Sequence, residues 1–170
     1  MNVICGWNVA NSILIKSFND KIYVTPVKLN CLIYLLYGEY LYTTGDTLFS
    51  ELFTKTENGP VLTTVYQKFN SYGNKIIKNY AKDAKDKTIY VDNGIFVKCL
   101  NYIWDRYKNM SLDDLLLYIE TGYTYRNKSM YDTINNIDVL NDMIIKKENE
   151  LERAREYMKK LKRWIRLLSS

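Results

Sequence analysis

Apolar residues recur along this chain at helical spacing. Trp7, Ala10, Ile13, Leu14 and Phe18 share one face, which predicts a first helix over residues 7–18. A stronger signal begins at Thr25-Pro26, with threonine as N-cap and proline at the first helical position. This second helix is expected to run to about Thr44 and stop at Gly45. Phe49 to Lys55 reads as an ambiguous extended piece, and Asn58-Gly59-Pro60 has turn chemistry. Pro60 is expected to open a third helix striped by Val61, Val65, Phe69 and Tyr72 and ended by Gly73. A short helical piece is expected at 74–80, then an extended "TIYV" at 88–91. Asp92 or Asn93 caps a helix carrying Phe96, Val97, Leu100, Ile103, Trp104 and Tyr107. Ser111 starts another, with Asp114 in the place of the usual capping-box glutamate. The stretch 120–133 reads as a loop or a broken short helix.

From Ile137 a heptad pattern runs almost to the end. Its a positions are Ile137, Ile144, Leu151, Met158 and Ile165; its d positions are Leu140, Lys147, Ala154, Leu161 and Leu168. Either a homodimeric coiled coil or a helix folded back on its own domain would use this seam, and Lys147 weakens a long symmetric one. The expected architecture is mainly α: a compact multi-helix domain over 1–130 with a small extended or β element, and a long C-terminal amphipathic helix over 131–170. The join near Asn135 is a candidate hinge.

The greasiest run is "YVTPVKLNCLIYLLYGEYLYTTGD", residues 23–46. Its unbroken apolar core is only Cys31 to Tyr37, well short of the ~20 residues a membrane span needs, and Lys28 and Glu39 would be costly in lipid. It reads as a central helix covered on several sides.

Charge changes the picture in one place. The net charge of +5 lies in residues 146–166, which hold nine basic and four acidic residues, while the first 145 balance at 15 against 15. The tail presents Lys159, Lys160, Lys162, Arg163 and Arg166 around Trp164 with no acid after Glu156. Such a helix suits nucleic acid, a membrane surface or an acidic partner groove, or is simply a solvated face with intrahelical ion pairs.

Candidate chemistry is sparse. The chain has no histidine, which removes the commonest general base and metal ligand together. The three cysteines lie far apart, so neither a disulfide framework nor a zinc motif is implied, and a reducing cytoplasm is expected. No phosphate-binding glycine loop occurs and no signal peptide is visible. Asp113-Asp114 falls in a helix first turn, where it complements the dipole rather than forming a catalytic pair. The sixteen tyrosines are expected to pack by their rings with the hydroxyls wet. A non-enzyme without cofactor or metal is expected.

Specific strings carry a resemblance: "VANSIL" at 9–14, "TPVKLNCLIYLLYGEYL" at 25–41, "TLFSELF" at 47–53, "NGPV" at 58–61 with Val65-Tyr66, and "SYG" at 71–73. Over about residues 7–120 the chain resembles the Panacea domain, the SocA-like or GepA-like family of antitoxin and phage-associated proteins. Many members carry a histidine and a downstream tryptophan after a Ser-x-x-x-Leu segment; here Ser111 and Leu115 are followed by no histidine. The resemblance implies a mostly helical domain that neutralises a cognate toxin by direct binding, or delivers it to a protease. Phage-borne relatives could use the scaffold against host defence proteins. The alternative is a nucleic-acid-binding protein or an anti-CRISPR-like defence inhibitor acting through the basic helix.

The candidate partner-binding residues are Lys28, Glu57, Asn58, Gly59 and Tyr66 around the turn, and Lys159, Lys160, Arg163, Trp164 and Arg166 in the tail. Lys28 would either snorkel or anchor the turn through Glu57. The expected partner is a cognate toxin or defence-system protein, with a homodimer through the last helix and nucleic acid as secondary expectations, and no membrane.

Overall fold

The structure, a computed structural model, describes residues 4–169. It is mainly helical, with a small three-stranded sheet and a long C-terminal helix. The first three residues of the expected 1–130 unit and Ser170 at the end of the tail lie outside the described residues.

Helix α1 spans Gly6–Asp20 and α2 spans Pro26–Thr44. The α2 boundaries follow the expected chemistry. Thr25 Oγ1 accepts from the Lys28 amide at 3.4 Å, and Gly45 adopts φ 76° as its amide donates to the Leu41 carbonyl at 2.9 Å. Residues Leu29 to Glu39 of α2 are all buried, because α1, the later helices and the sheet pack around it. Each large apolar side chain so covered stabilises the fold by about 1.5–3 kcal/mol. Among the described residues no helix is long and apolar enough to cross a membrane.

Asn30 is a buried polar residue in this greasy helix, and the fold gives it a task. Its Oδ1 accepts from the Leu62 amide at 3.0 Å, tying the exit of a β-hairpin to α2. That hairpin pairs β1 (Phe53–Thr56) with β2 (Gly59–Val61) in antiparallel register, Lys55 opposite Pro60. Pro60 therefore does not open a helix as its sequence suggested. It sits on an edge strand, where its missing N–H costs no ladder bond. Helix α3 begins later, at Thr63–Phe69, and a 3₁₀ turn (Asn70–Tyr72) carries it to Gly73.

Two further expectations fail for one reason. Residues 74–80 form no helix and 88–91 join no sheet. Side chains of α1 hold this segment instead. Asn11 exchanges hydrogen bonds with both backbone groups of Ala81 and donates to Ile89 O at 2.8 Å. Ser12 Oγ accepts from Val91 N and donates to Val91 O. Buried Ile77 and Ala81 pin the segment to the core.

Helix α4 (Gly94–Tyr107) is capped by Asn93, whose Oδ1 accepts from Phe96 N at 3.0 Å. Helix α5 (Leu112–Glu120) is capped by Ser111, which accepts from Asp114 N while its hydroxyl donates to the Asp114 carboxylate. The stretch 120–133 contains a short helix, α6 (Tyr123–Asn127), and strand β3 (Thr133–Ile134) follows. Strand β3 pairs with β1, Phe53 opposite Ile134.

Helix α7 runs from Asn136 to Leu168. A capping box fixes its start: Asn135 Oδ1 accepts from Asp138 N, and Asp138 Oδ2 accepts from Asn135 N. Its first half crosses α2 at Gly38, where a Cβ would come within 2.7 Å of Met143 Cε and 3.3 Å of Val139 Cγ1. Val139, Asp142 and Met143 are buried there. This face is rotated away from the expected heptad seam, and Ile137 is left exposed. Lys147, expected to weaken a seam, folds onto the body instead. It pairs with Glu39 at 2.7 Å and lies 4.4 Å from the Tyr102 ring centre.

The tyrosines do not all behave as expected. Tyr34 packs edge-on against Phe53 and Tyr125, and its hydroxyl is buried without a partner among the described residues. Tyr37 donates to Asn136 Oδ1 at 2.6 Å. Burial pushes the phenol pKa of Tyr37 up to about 12 and that of Tyr34 higher still.

Candidate partner-binding site

Local chemistry shapes the turn residues first. The β1–β2 turn needs a left-handed residue, and Gly59 supplies φ 96°. Gly59 is also buried, and a Cβ there would lie 2.6 Å from Leu116 Cδ2. Its role is to let the hairpin lie against α5, so it shapes the turn from within rather than presenting a surface. Beside it, Glu57 and Asn58 are exposed. Thr56 Oγ1 accepts from the Asn58 amide and donates to the Gly59 carbonyl, which stiffens the tip.

Glu57 and Asn58 line a shallow groove of about 500 Å³. Tyr66 from α3 lines it too, with Pro26 and Asn30 of α2. Tyr131, which carried no sequence signal, joins them: its hydroxyl donates to Glu57 Oε1 at 3.4 Å. Tyr131 adopts φ 66°, a left-handed position that swings the chain back to β1, where its amide donates to the Lys55 carbonyl at 2.8 Å. Three of the five turn candidates thus meet in one groove.

Lys28 is not among them and does not meet Glu57. Its ammonium donates to the carbonyls of Lys108 and Met110, each at 2.8 Å. These carbonyls close the C-terminal end of α4, where a cation also complements the helix dipole. Partial burial lowers the lysine pKa from its usual value. Lys28 is a staple between α2 and α4.

Long-range contacts also build the ground under α7. Asp142, buried, accepts from Thr124 N and Tyr125 N, each at 2.8 Å, and so caps α6 from a distance. Lys55 caps the other end of α6, donating to the carbonyls of Tyr125, Arg126 and Lys128. Lys146 donates to Tyr118 O and lies 4.3 Å from the Tyr118 ring centre. Burial pulls its pKa down to about 8, against the pull of Asp142 and Glu150. Glu150 pairs with Arg106 at 2.7 Å. It is the last residue of α7 to touch the body in this way.

Beyond it, every residue from Leu151 to Leu168 is exposed. Lys159, Lys160, Arg163, Trp164 and Arg166 all belong to this projecting part. Trp164 is 66% exposed and Ile165 57%. Lys159 pairs with Glu156 at 2.8 Å, an exposed pair of little energetic weight. The turn groove and the tail are separate surfaces.

The family model of the antitoxin SocA-like, Panacea domain matches residues 29–121. That span, just over half the chain, runs from the first turn of α2 through the cap of α5. It includes the hairpin and α3 and leaves α1, α6, β3 and α7 outside. No curated protein and no solved structure matches the chain.

Proposed function

The chain belongs to the antitoxin SocA-like, Panacea domain family, and from that premise we propose that it is a non-enzymatic binding module. It neutralises a toxin or a host defence effector by direct contact, in the cytoplasm, where Cys31 and Cys99 stay as free thiols. The observation that carries this reading is the projecting half of α7. A row of large apolar side chains, among them Leu151, Met158, Leu161, Trp164 and Ile165, stands in solvent beside a body whose own core is filled without them. Exposed apolar area of this extent marks an interaction surface. The hairpin groove with Glu57, Asn58, Tyr66 and Tyr131 offers a second contact.

One observation favours a second reading, binding to nucleic acid. The exposed half of α7 carries seven basic residues and two acidic ones. Phosphate contacts would release counterions and give steep salt dependence. Purifying the tagged full chain from its native cells, with and without nuclease, separates the two. A protein partner retained at constant stoichiometry after nuclease treatment is the expected result. Recovery of nucleic acid alone, lost at high salt, would overturn the first reading in favour of the second.

A further inference from the structure

The outer half of α7 can be read position by position. At 100° per residue, Trp164, Tyr157, Leu168, Leu161, Ala154, Ile165, Met158 and Leu151 occupy consecutive places around the helix, an unbroken apolar arc of about 140°. Lys162 and Arg155 border the arc on one side; Arg153 and Lys160 border it on the other. The only two acids, Glu152 and Glu156, lie on the far face.

The arc also has a direction. In the inner half, Val139, Met143, Lys146 and Glu150 touch the body at steps of four, three and four residues. The same stepping continues through Ala154 or Arg153 to Tyr157, Leu161, Trp164 and Leu168. No proline or glycine interrupts α7 to bend it. The apolar arc therefore opens toward the side on which the body lies, along about 27 Å of helix past its edge.

We infer that this arc is covered by a protein surface consisting of an apolar groove with carboxylates on both rims, seated in the angle between the projecting helix and the body. The inference rests on the binding-module reading above and specifies the partner's chemistry. A flat anionic bilayer is disfavoured because the body protrudes on the very side that would have to lie on the membrane. Nucleic acid would use the cations and leave eight apolar positions unaccounted for. A second copy laid antiparallel along the arc is disfavoured by charge. When residues 151–168 of two copies overlap fully and antiparallel, each Leu151 meets Leu168 and each Met158 meets Leu161. Arg155 then faces Lys162 at both ends, and like charges across such a seam repel. Carboxylates on both rims satisfy all four bordering cations.

The test uses the full chain and two labelled synthetic helical peptides with leucine at a and d, one with glutamate and one with lysine at all e and g positions. Fluorescence anisotropy is expected to show binding of the acidic peptide, weakened roughly tenfold between about 50 and about 500 mM salt. The chain carrying Leu161→Asp and Ile165→Asp should bind it at least about 30-fold more weakly. Binding of both peptides alike, or of neither, would overturn the inference. So would sedimentation showing that the full chain pairs with itself and that the double variant does not. If the natural partner is still retained by the double variant, the binding-module reading stands and only this assignment of the partner's groove falls.

Discussion

Leu161→Asp combined with Ile165→Asp is expected to weaken the natural complex at least about 100-fold, because truncation of central apolar anchors typically costs 2 kcal/mol or more each. The same change should leave folding almost untouched. Both side chains are already exposed, 39% and 57%, so the native state loses no buried contact. Exposed substitutions of this kind stay within about 0.5 kcal/mol. Thermal unfolding by circular dichroism, read beside affinity by calorimetry, separates the two effects. A complex of unchanged affinity would remove the projecting helix from the partner interface. A large fall in melting temperature would mean that the outer half of α7 packs somewhere on the body, against its observed exposure.

Asp142→Ala carries the largest expected cost to the fold itself. The carboxylate is 3% exposed and accepts from the Thr124 and Tyr125 amides at the start of α6. Without it two donors at a covered helix end lose their partner. Each such loss costs about 1–3 kcal/mol, so a total near 3 kcal/mol is expected, or a fall of roughly 10 °C in melting temperature. Asp142→Asn keeps one acceptor oxygen and should fall between the two. A loss below about 1 kcal/mol for the alanine variant would show that α6 does not depend on α7 for its cap.

Much of the fold was legible because its signals are local. Thr25-Pro26, Gly45, Asn93 and Ser111 act on amides or carbonyls within a few residues, so their meaning survives without knowledge of the fold. The failures are all long-range. Pro60 has the chemistry of a helix start, and pairing with β1 decided otherwise. Asn11 and Ser12 took the segment around Ala81 and Val91 out of any regular element from about 70 or more positions away. The heptad of α7 was real as a pattern, yet Gly38 and the capping box at Asn135 set the register of its inner half on another face. The candidate site divides the same way. Glu57, Asn58 and Tyr66 were found through turn chemistry and family strings, and they do meet. Tyr131 was missed because only the left-handed turn before β3 brings it there. Lys28 drew attention as a charge in a buried helix, and its partners are carbonyls 80 and 82 residues away.

The central claim is that the outer half of α7 meets the partner. Hydrogen exchange on the free full chain and on the purified complex tests it without any substitution. In the free chain, amides of 151–168 should exchange quickly, since that stretch has no packing to hold its helical bonds closed. Amides of the buried stretch 29–39 should exchange slowly in both samples. In the complex, strong protection of 151–168 is the predicted result. Unchanged exchange across 151–168 in a complex that is otherwise intact would contradict it.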